Sequence, residues 1–435
     1  MSTTQSTTTQ RHERFERLMR EAEASIAAHP RAYKLRLILL ALLGYGVLFG
    51  LVIVLVGLVG GVVWGAAAST AFLILLLTKK LIVPVLAVIW VILRSLWVRV
   101  DAPSGFPAPR AEFPELHAQI DALRNQLKTP VVHAVILTDD FNAGISQTPR
   151  LGVIGWPRNT LTIGLPLLLT LSTEQACAVL AHEFGHLSGN HSAFSAWIYR
   201  LRLTWYGVMA AFDEAQGLGT ALLRRFFDWY APYFNAYSFA MARGNEYEAD
   251  AISVQLTSVN AAAQALVSTN IRSDALQEHY WRPLLKSADS SPVPEQQPFT
   301  RLAAFLREHP LPREELLLRI SKALGRETDH ADTHPALRDR LAAMQAPPVL
   351  PGAIVRSAAQ DWLGPRLAGV LAEFDRNWVE RNREPWHQRF QYVQEARRSL
   401  AALKSRHAEH LSPEERCNLA ALSEEFPPET NALPP

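Results

Sequence analysis

Hydrophobic and polar positions change rhythm several times along the chain. From Leu37 to Thr78 no side chain carries a charge. A run of about 42 such residues is twice the roughly 20 that one membrane-crossing helix needs. Gly57, Gly60 and Gly61 fall near its middle, where a tight turn would reverse the chain. The pattern therefore predicts a transmembrane helical hairpin with spans near 37–58 and 61–78. One continuous buried rod of this length would reach roughly 60 Å, too long for a domain of this size. Residues 81–93 form another apolar run, which Arg94 and Arg99 cut short. With Trp90 and Trp97, the segment 81–97 reads as an interfacial helix or a third span.

Beyond residue 100 the pattern is that of a folded polar domain. DAPSGFPAP (101–109) reads as a linker, AEFPELHAQIDALRNQL (111–127) as an amphipathic helix and VVHAVIL (131–137) as a strand. RLGVIG and TLTIGL alternate as short strands around Trp156-Pro157-Arg158-Asn159, whose residue types suggest the turn of a hairpin. Ser172 followed three residues later by Gln175 is a capping box, so a helix is expected to begin there and run through AVLAHEFGHL. The aromatic stretch 192–245 predicts paired amphipathic helices. Loops are expected at 286–299 and 346–352, and two or three helices over 385–426, broken at Ser412-Pro413. The expected architecture is mainly α with a small β-sheet. It divides into an N-terminal segment 1–36, a membrane anchor 37–100, a folded domain 110–345 and a C-terminal helical extension 346–435.

Composition narrows the function. The 43 Lys and Arg nearly balance the 41 Asp and Glu, so no basic footprint points to nucleic acid. Cys177 and Cys417 are too few and too isolated for a disulfide framework or a cysteine metal site. Arg11, Arg14, Arg17, Arg20, Arg31, Lys34 and Arg36 precede the anchor, and Lys79 and Lys80 follow the second span. Both flanks are thus expected to be cytoplasmic, giving a plasma (inner) membrane protein with its domain 110–345 in the cytoplasm.

The candidate chemistry sits in His182-Glu183-Phe184-Gly185-His186. On a helix, residues four apart share a face, so His182 and His186 can grip one ion, with Glu183 about 100° to the side. Catalytic zinc takes three protein ligands and keeps an open position. The metzincin string, H-E-x-x-H-x-x-G-x-x-H, fails: Gly189 fits, but the last position is Ser192 and His191 comes one residue early. The other source is a carboxylate from a later helix. Glu246 and Asp250, four apart in RGNEYEAD, suit it: one can ligate while the other holds a ligand histidine. A di-iron site would need a second E-x-x-H, but Glu327-Thr-Asp-His330 lies in a loop-like stretch.

HEFGH, NEYEAD sixty residues after His186, and THPALRDRL (333–341) together resemble the HtpX and CAAX-prenyl-endoprotease family of membrane-bound, gluzincin-like zinc metallopeptidases. The similarity runs from about Phe141-Asn142-Ala143 to Leu341. It implies one Zn²⁺ per chain on His182, His186 and Glu246, with Glu183 as general base and Asp250 orienting a ligand histidine. His334 and Arg340 match positions facing the cleft, where a cation or N–H donor stabilises an oxyanion; a loop histidine starting a helix is the bland alternative for His334. CAAX proteases enclose a chamber with many spans, and HtpX has further spans after its zinc helix. This chain has neither, so its site is expected to open to the cytosol and membrane surface.

The expected activity is endoproteolysis of protein or peptide substrates, with membrane lipid as the other partner. TLTIGL is expected to add the substrate as a further strand, making Thr160, Thr162 and Gly164, with Asn142, the candidate substrate contacts. The alternative is an inactive membrane scaffold that keeps the fold.

Overall fold

A computed structural model describes residues 2–70, 103–151, 154–188, 218–328 and 334–427, together with 194, 195, 197, 198, 201, 202 and 205. The segment 81–97, the end of the expected second span, His191 with Ser192, and His330 lie outside the described residues. Contacts divide the chain into two compact units, Met1–Thr269 with Arg313–Trp362 and Asn270–Pro312 with Leu363–Pro435.

The first unit begins with α1 (Ser2–Ala28) and α2 (Pro30–Ala68). Pro30 opens α2 at the first helical turn, where a missing N–H costs nothing. The helix then runs unbroken through Gly57, Gly60 and Gly61, so the expected turn does not form there. Each glycine costs roughly 1 kcal/mol of helix propensity against alanine. The apolar, uncharged neighbours tolerate this, and a Cβ at any of the three would meet only open space. Among the described residues there is thus one long apolar helix, not a hairpin. Its two halves differ. Tyr33, Leu37, Ala41 and Gly44 lie on one face and are buried, whereas Phe49, Ile53, Val54, Val56 and Trp64 are exposed.

Next come β1 (Phe106–Pro107), α3 (Pro114–Leu127), β2 (Ala134–Thr138), β3 (Ala143–Leu151) and β4 (Ile154–Gly164). In α3, Leu116, Ile120 and Leu123 bury one stripe at helical spacing. The mixed sheet has the order β1-β2-β4-β3, with β4 parallel to β2 and antiparallel to β3. The hairpin exists, but its register is not the expected one. Pro157, Arg158 and Asn159 pair with Pro149, Thr148 and Gln147 inside the ladder, and the chain reverses between Leu151 and Ile154. Turn-type residues here belong to a strand because cross-strand pairing outweighs their local preference.

Short α4 (Leu165–Thr170) leads to α5 (Thr173–Leu187), followed by α6 (Leu218–Leu256) and α7 (Val259–Leu276). Further along come α8 (Pro298–Glu308), α9 (Arg313–Leu324), α10 (Leu337–Ala343), α11 (Leu367–Lys404) and α12 (Pro413–Glu425). α1 and α2 pack against α6 around Trp205, Phe227, Tyr230 and Phe234. Glu23 pairs with the buried Arg243 at 2.8 Å, and Arg36 donates to the Tyr237 hydroxyl at 2.6 Å. In the second unit, α8 packs on α11. Buried Asp375 of α11 accepts the Phe299 and Thr300 N–H groups and the Thr300 hydroxyl, capping α8 from outside.

Candidate metal centre

The expected capping box is formed at the start of α5. Gln175 N–H donates to the Ser172 hydroxyl at 3.2 Å, and Ser172 N–H donates to the Gln175 side chain at 3.3 Å. Asp361, which carried no signal in the sequence, accepts from the Thr173 hydroxyl, while Ala358 N–H donates to the Leu171 carbonyl at 2.8 Å. Two independent devices therefore set where α5 begins, and the histidines lie two and a half to four turns along it.

The other side of the centre comes from α6. Its approach to α5 is unusually close at Gly185: a Cβ there would stand 3.0 Å from the Ala249 Cα. Ordinary carbon contacts are about 3.5–4.0 Å, so any side chain here would force α6 to give by a few tenths of an ångström. Ser253 of α6 also donates to the Ala178 carbonyl of α5 at 2.7 Å. Glu246 lies three residues before Ala249 and Asp250 one after, so this crossing point carries both carboxylates to the histidines.

The donor atoms of His182, His186 and Glu246 lie within 4.8 Å of one another. The two Nε2 atoms are 3.2 Å apart, with Glu246 Oε2 3.5 Å from His182 Nε2 and Oε1 3.3 Å from His186 Nε2. Bonds of about 2.0–2.1 Å to a tetrahedral ion would set ligand separations at about 3.3–3.4 Å, close to what is observed. His182 Nδ1 faces Asp250 Oδ1 at 3.0 Å. The proton on that nitrogen leaves the His182 Nε2 lone pair free to meet a cation or to accept from His186 Nε2, 3.2 Å away. Glu246 Oε2 is buried with no hydrogen-bond partner among the described residues. A buried anionic oxygen in that condition is costly unless it coordinates. The donor set fits a divalent ion of zinc's size.

Electrostatics agree with this. Burial alone would raise Glu246, but the facing imidazoles of His182 and His186 hold it well below the usual carboxylate range. Burial would likewise raise Asp250, which Arg340 and His182 hold down. Glu183 moves the other way: burial pushes it up, against the pull of the two imidazoles. A carboxyl so placed is the better proton acceptor.

A cavity of about 150 Å³ adjoins these groups, lined by Asn142, Val179, His182, Glu183, His334 and Arg340 among others. A comparison with protein-family profiles matches residues 111–347 to peptidase family M48. The chain belongs to that family. Its M48 segment therefore carries metallopeptidase chemistry on protein or peptide substrates. No curated protein and no solved structure matches the chain.

The remaining residues singled out in the M48 segment fall in three places. His334 Nε2 stands 3.7 Å from Glu246 Oε1, with its side chain 63% exposed. Arg340 forms a two-point ion pair with Asp250, at 2.8 Å from Nε and 2.6 Å from Nη2. The expected substrate strand is not the free one. β4 lies between β2 and β3: Thr160 pairs with Ala134 and Ser146, and Thr162 with Ile136 and Gly144. Thr162 Oγ1 also donates to the Gly144 carbonyl at 3.1 Å. Gly164 donates to the Asn142 carbonyl at 2.7 Å, and a Cβ there would overlap the Asp140 carbonyl, so its role is close backbone passage. Main-chain addition at Thr160, Thr162 and Gly164 is thus blocked. Among the described residues the sheet edge beside the centre is β3, which Asn142 leads into at the cavity wall. Strand order is a tertiary property, and alternation within TLTIGL carries no sign of it.

Proposed function

We propose that this chain is a membrane-anchored, zinc-dependent endopeptidase, with His182, His186 and Glu246 as ligands and Glu183 as general base. The observation that supports the reading is the buried Glu246 carboxylate, whose Oε2 stands 3.5 Å from His182 Nε2 and whose Oε1 stands 3.3 Å from His186 Nε2, close to the spacing of tetrahedral ligands. Zinc held by these three residues would supply a Lewis acid for the scissile carbonyl and would lower the pKa of a bound water. Asp250 holds the His182 ring by its Nδ1 proton, fixing tautomer and orientation. Glu183 accepts a proton from the attacking water and returns it to the leaving amine. His334, exposed at the rim, donates to the carbonyl oxygen as negative charge develops there. The peptide binds extended along β3, where main-chain bonds give affinity with little demand on sequence.

The anchor is the outer half of α2. From Gly46 to Ala68 the helix holds about 23 uncharged residues, about 34 Å at the usual rise, matching a hydrocarbon core of about 30 Å. Its inner half is buried against α1 and α6, in the same unit as the metal ligands. The basic N-terminal segment and the catalytic centre therefore share one side of the bilayer. The basic flank makes that side cytoplasmic.

The test is Glu183→Gln. It should keep one zinc per chain, measured by metal analysis, while hydrolysis of an unfolded protein such as casein falls about 10²–10⁴-fold. Undiminished cleavage by that variant would refute the mechanism.

A further inference from the structure

Arg340 is the residue whose geometry departs most from an oxyanion-stabilising role. Its side chain is 12% exposed, and two of its three guanidinium nitrogens are spent on Asp250, Nε on one oxygen and Nη2 on the other. Such a fork fixes the plane of a carboxylate, which a single-point donor cannot do. Asp250, itself buried, in turn faces His182 Nδ1 at 3.0 Å. Arg340 Nη2 lies 3.4 Å from that same Nδ1. When Nδ1 carries the proton that Asp250 accepts, both groups are donors, so Arg340 reaches the ring only through Asp250. The remaining nitrogen, Nη1, stands 3.6 Å from Glu246 Oε2, on the ligand side.

We propose that Arg340 is a positioning residue for the metal: it locks the Asp250 carboxylate, which holds the His182 ring in the orientation that presents Nε2 to the ion. The inference rests on the zinc-peptidase reading and adds a relay, Arg340 to Asp250 to His182, supplied by α10. Metal affinity, not the stabilisation of substrate charge, is then the quantity Arg340 controls. Without the fork, Asp250 keeps the ring N–H as its one specific partner and is free to rotate. The ring then samples orientations in which Nε2 misses the ion.

The experiment measures zinc affinity of the full-length protein by competition with a chromogenic chelator, beside circular dichroism to establish folding. Arg340→Met should weaken zinc binding roughly 10–100-fold, the range typical for groups that orient a ligand. Arg340→Lys should fall between it and wild type, because an ammonium replaces a fork by one point. Substituted Co²⁺ should give an altered visible spectrum in Arg340→Lys, a readout that a purely structural role leaves unmoved. Asp250→Asn should lose as much affinity, and Arg340→Met with Asp250→Asn should lose little more than Asp250→Asn alone, since both act through one ring. Where Arg340→Met alone fails to fold, Arg340→Lys and the double variant, which has no stranded carboxylate, decide. Zinc affinity within twofold of wild type together with lost cleavage, or losses that add in the double variant, would overturn the proposal. A wild-type protein that takes up no zinc would instead overturn the peptidase reading.

Discussion

Gly185→Ala perturbs the one contact that sets the distance between the histidines and their carboxylate partners. The new Cβ would stand 3.0 Å from the Ala249 Cα and 3.2 Å from its Cβ. Relief to ordinary contact, about 3.5–4.0 Å, requires α5 and α6 to part locally by about half an ångström. Overpacking of this kind costs about 1–3 kcal/mol. Alanine returns about 1 kcal/mol through its helix propensity, so the metal-free protein should lose only about 0–2 kcal/mol. Metal binding has no such compensation. Metal–ligand bonds tolerate about 0.2 Å, and Glu246 sits less than one turn from Ala249 on the displaced helix. If the 1–3 kcal/mol falls on the ligand set, zinc affinity drops about 5- to 150-fold. The assay pairs thermal unfolding of metal-free protein with zinc titration against a chelator. Gly244→Ala, on the same helix but facing open space, is the control; it should gain up to about 1 kcal/mol with zinc affinity unchanged. A Gly185→Ala protein that binds zinc within twofold of wild type would refute the claim that this crossing sets the site.

Two further outcomes follow from the electrostatics and the capping. In the metal-free protein burial works against a charge on His182, but bonds to Asp250 and Glu246 outweigh it and raise the group to about 9 from its usual 6.5. A raised cationic group contributes stability that is complete below pH 6.5 and lost as pH climbs through 9, so melts of metal-free protein should report a declining contribution across that window. Zinc has to displace the same proton, so its apparent affinity should rise from pH 6.5 toward 9, and a flat titration would contradict the assignment. Asp375→Ala strips three hydrogen bonds from the first turn of α8. Loss of the charged acceptor for the buried Phe299 N–H and the two more exposed Thr300 donors should cost about 1–3 kcal/mol, seen as earlier urea unfolding of the second unit with zinc binding intact.

Much of the centre was legible locally. The Ser172 box, the start of α5 and the shared face of His182 and His186 are consequences of spacing within one helix, and all three appear as expected. Glu246 and Asp250 were legible as a pair four apart. Their assignment to different partners, His182 Nε2 with His186 for one and His182 Nδ1 for the other, depends on how α6 crosses α5. Asp361 was invisible because its partner, Thr173, lies 188 residues away. The hairpin's register failed for a related reason: Pro157 and Asn159 look like turn residues in isolation, and a ladder already set by β2 and β3 absorbs them.

The glycines show most directly what a linear pattern lacks. Gly57, Gly60 and Gly61 suggest a turn, yet they lie in a continuous helix with open space around them. Apolar helices of this kind tolerate glycine more readily than soluble ones do. Gly185 sits unmarked inside a helix, where propensity alone disfavours it, yet a Cβ there would press on Ala249 of α6. Gly164 looked like a substrate contact on an open strand and is instead the place where the 140–142 backbone crosses β4. In each case residue type was known and the distance to another element was not. That distance decides whether a missing Cβ marks a bend, a crossing or nothing at all, and at Gly185 it decides whether a metal can be held.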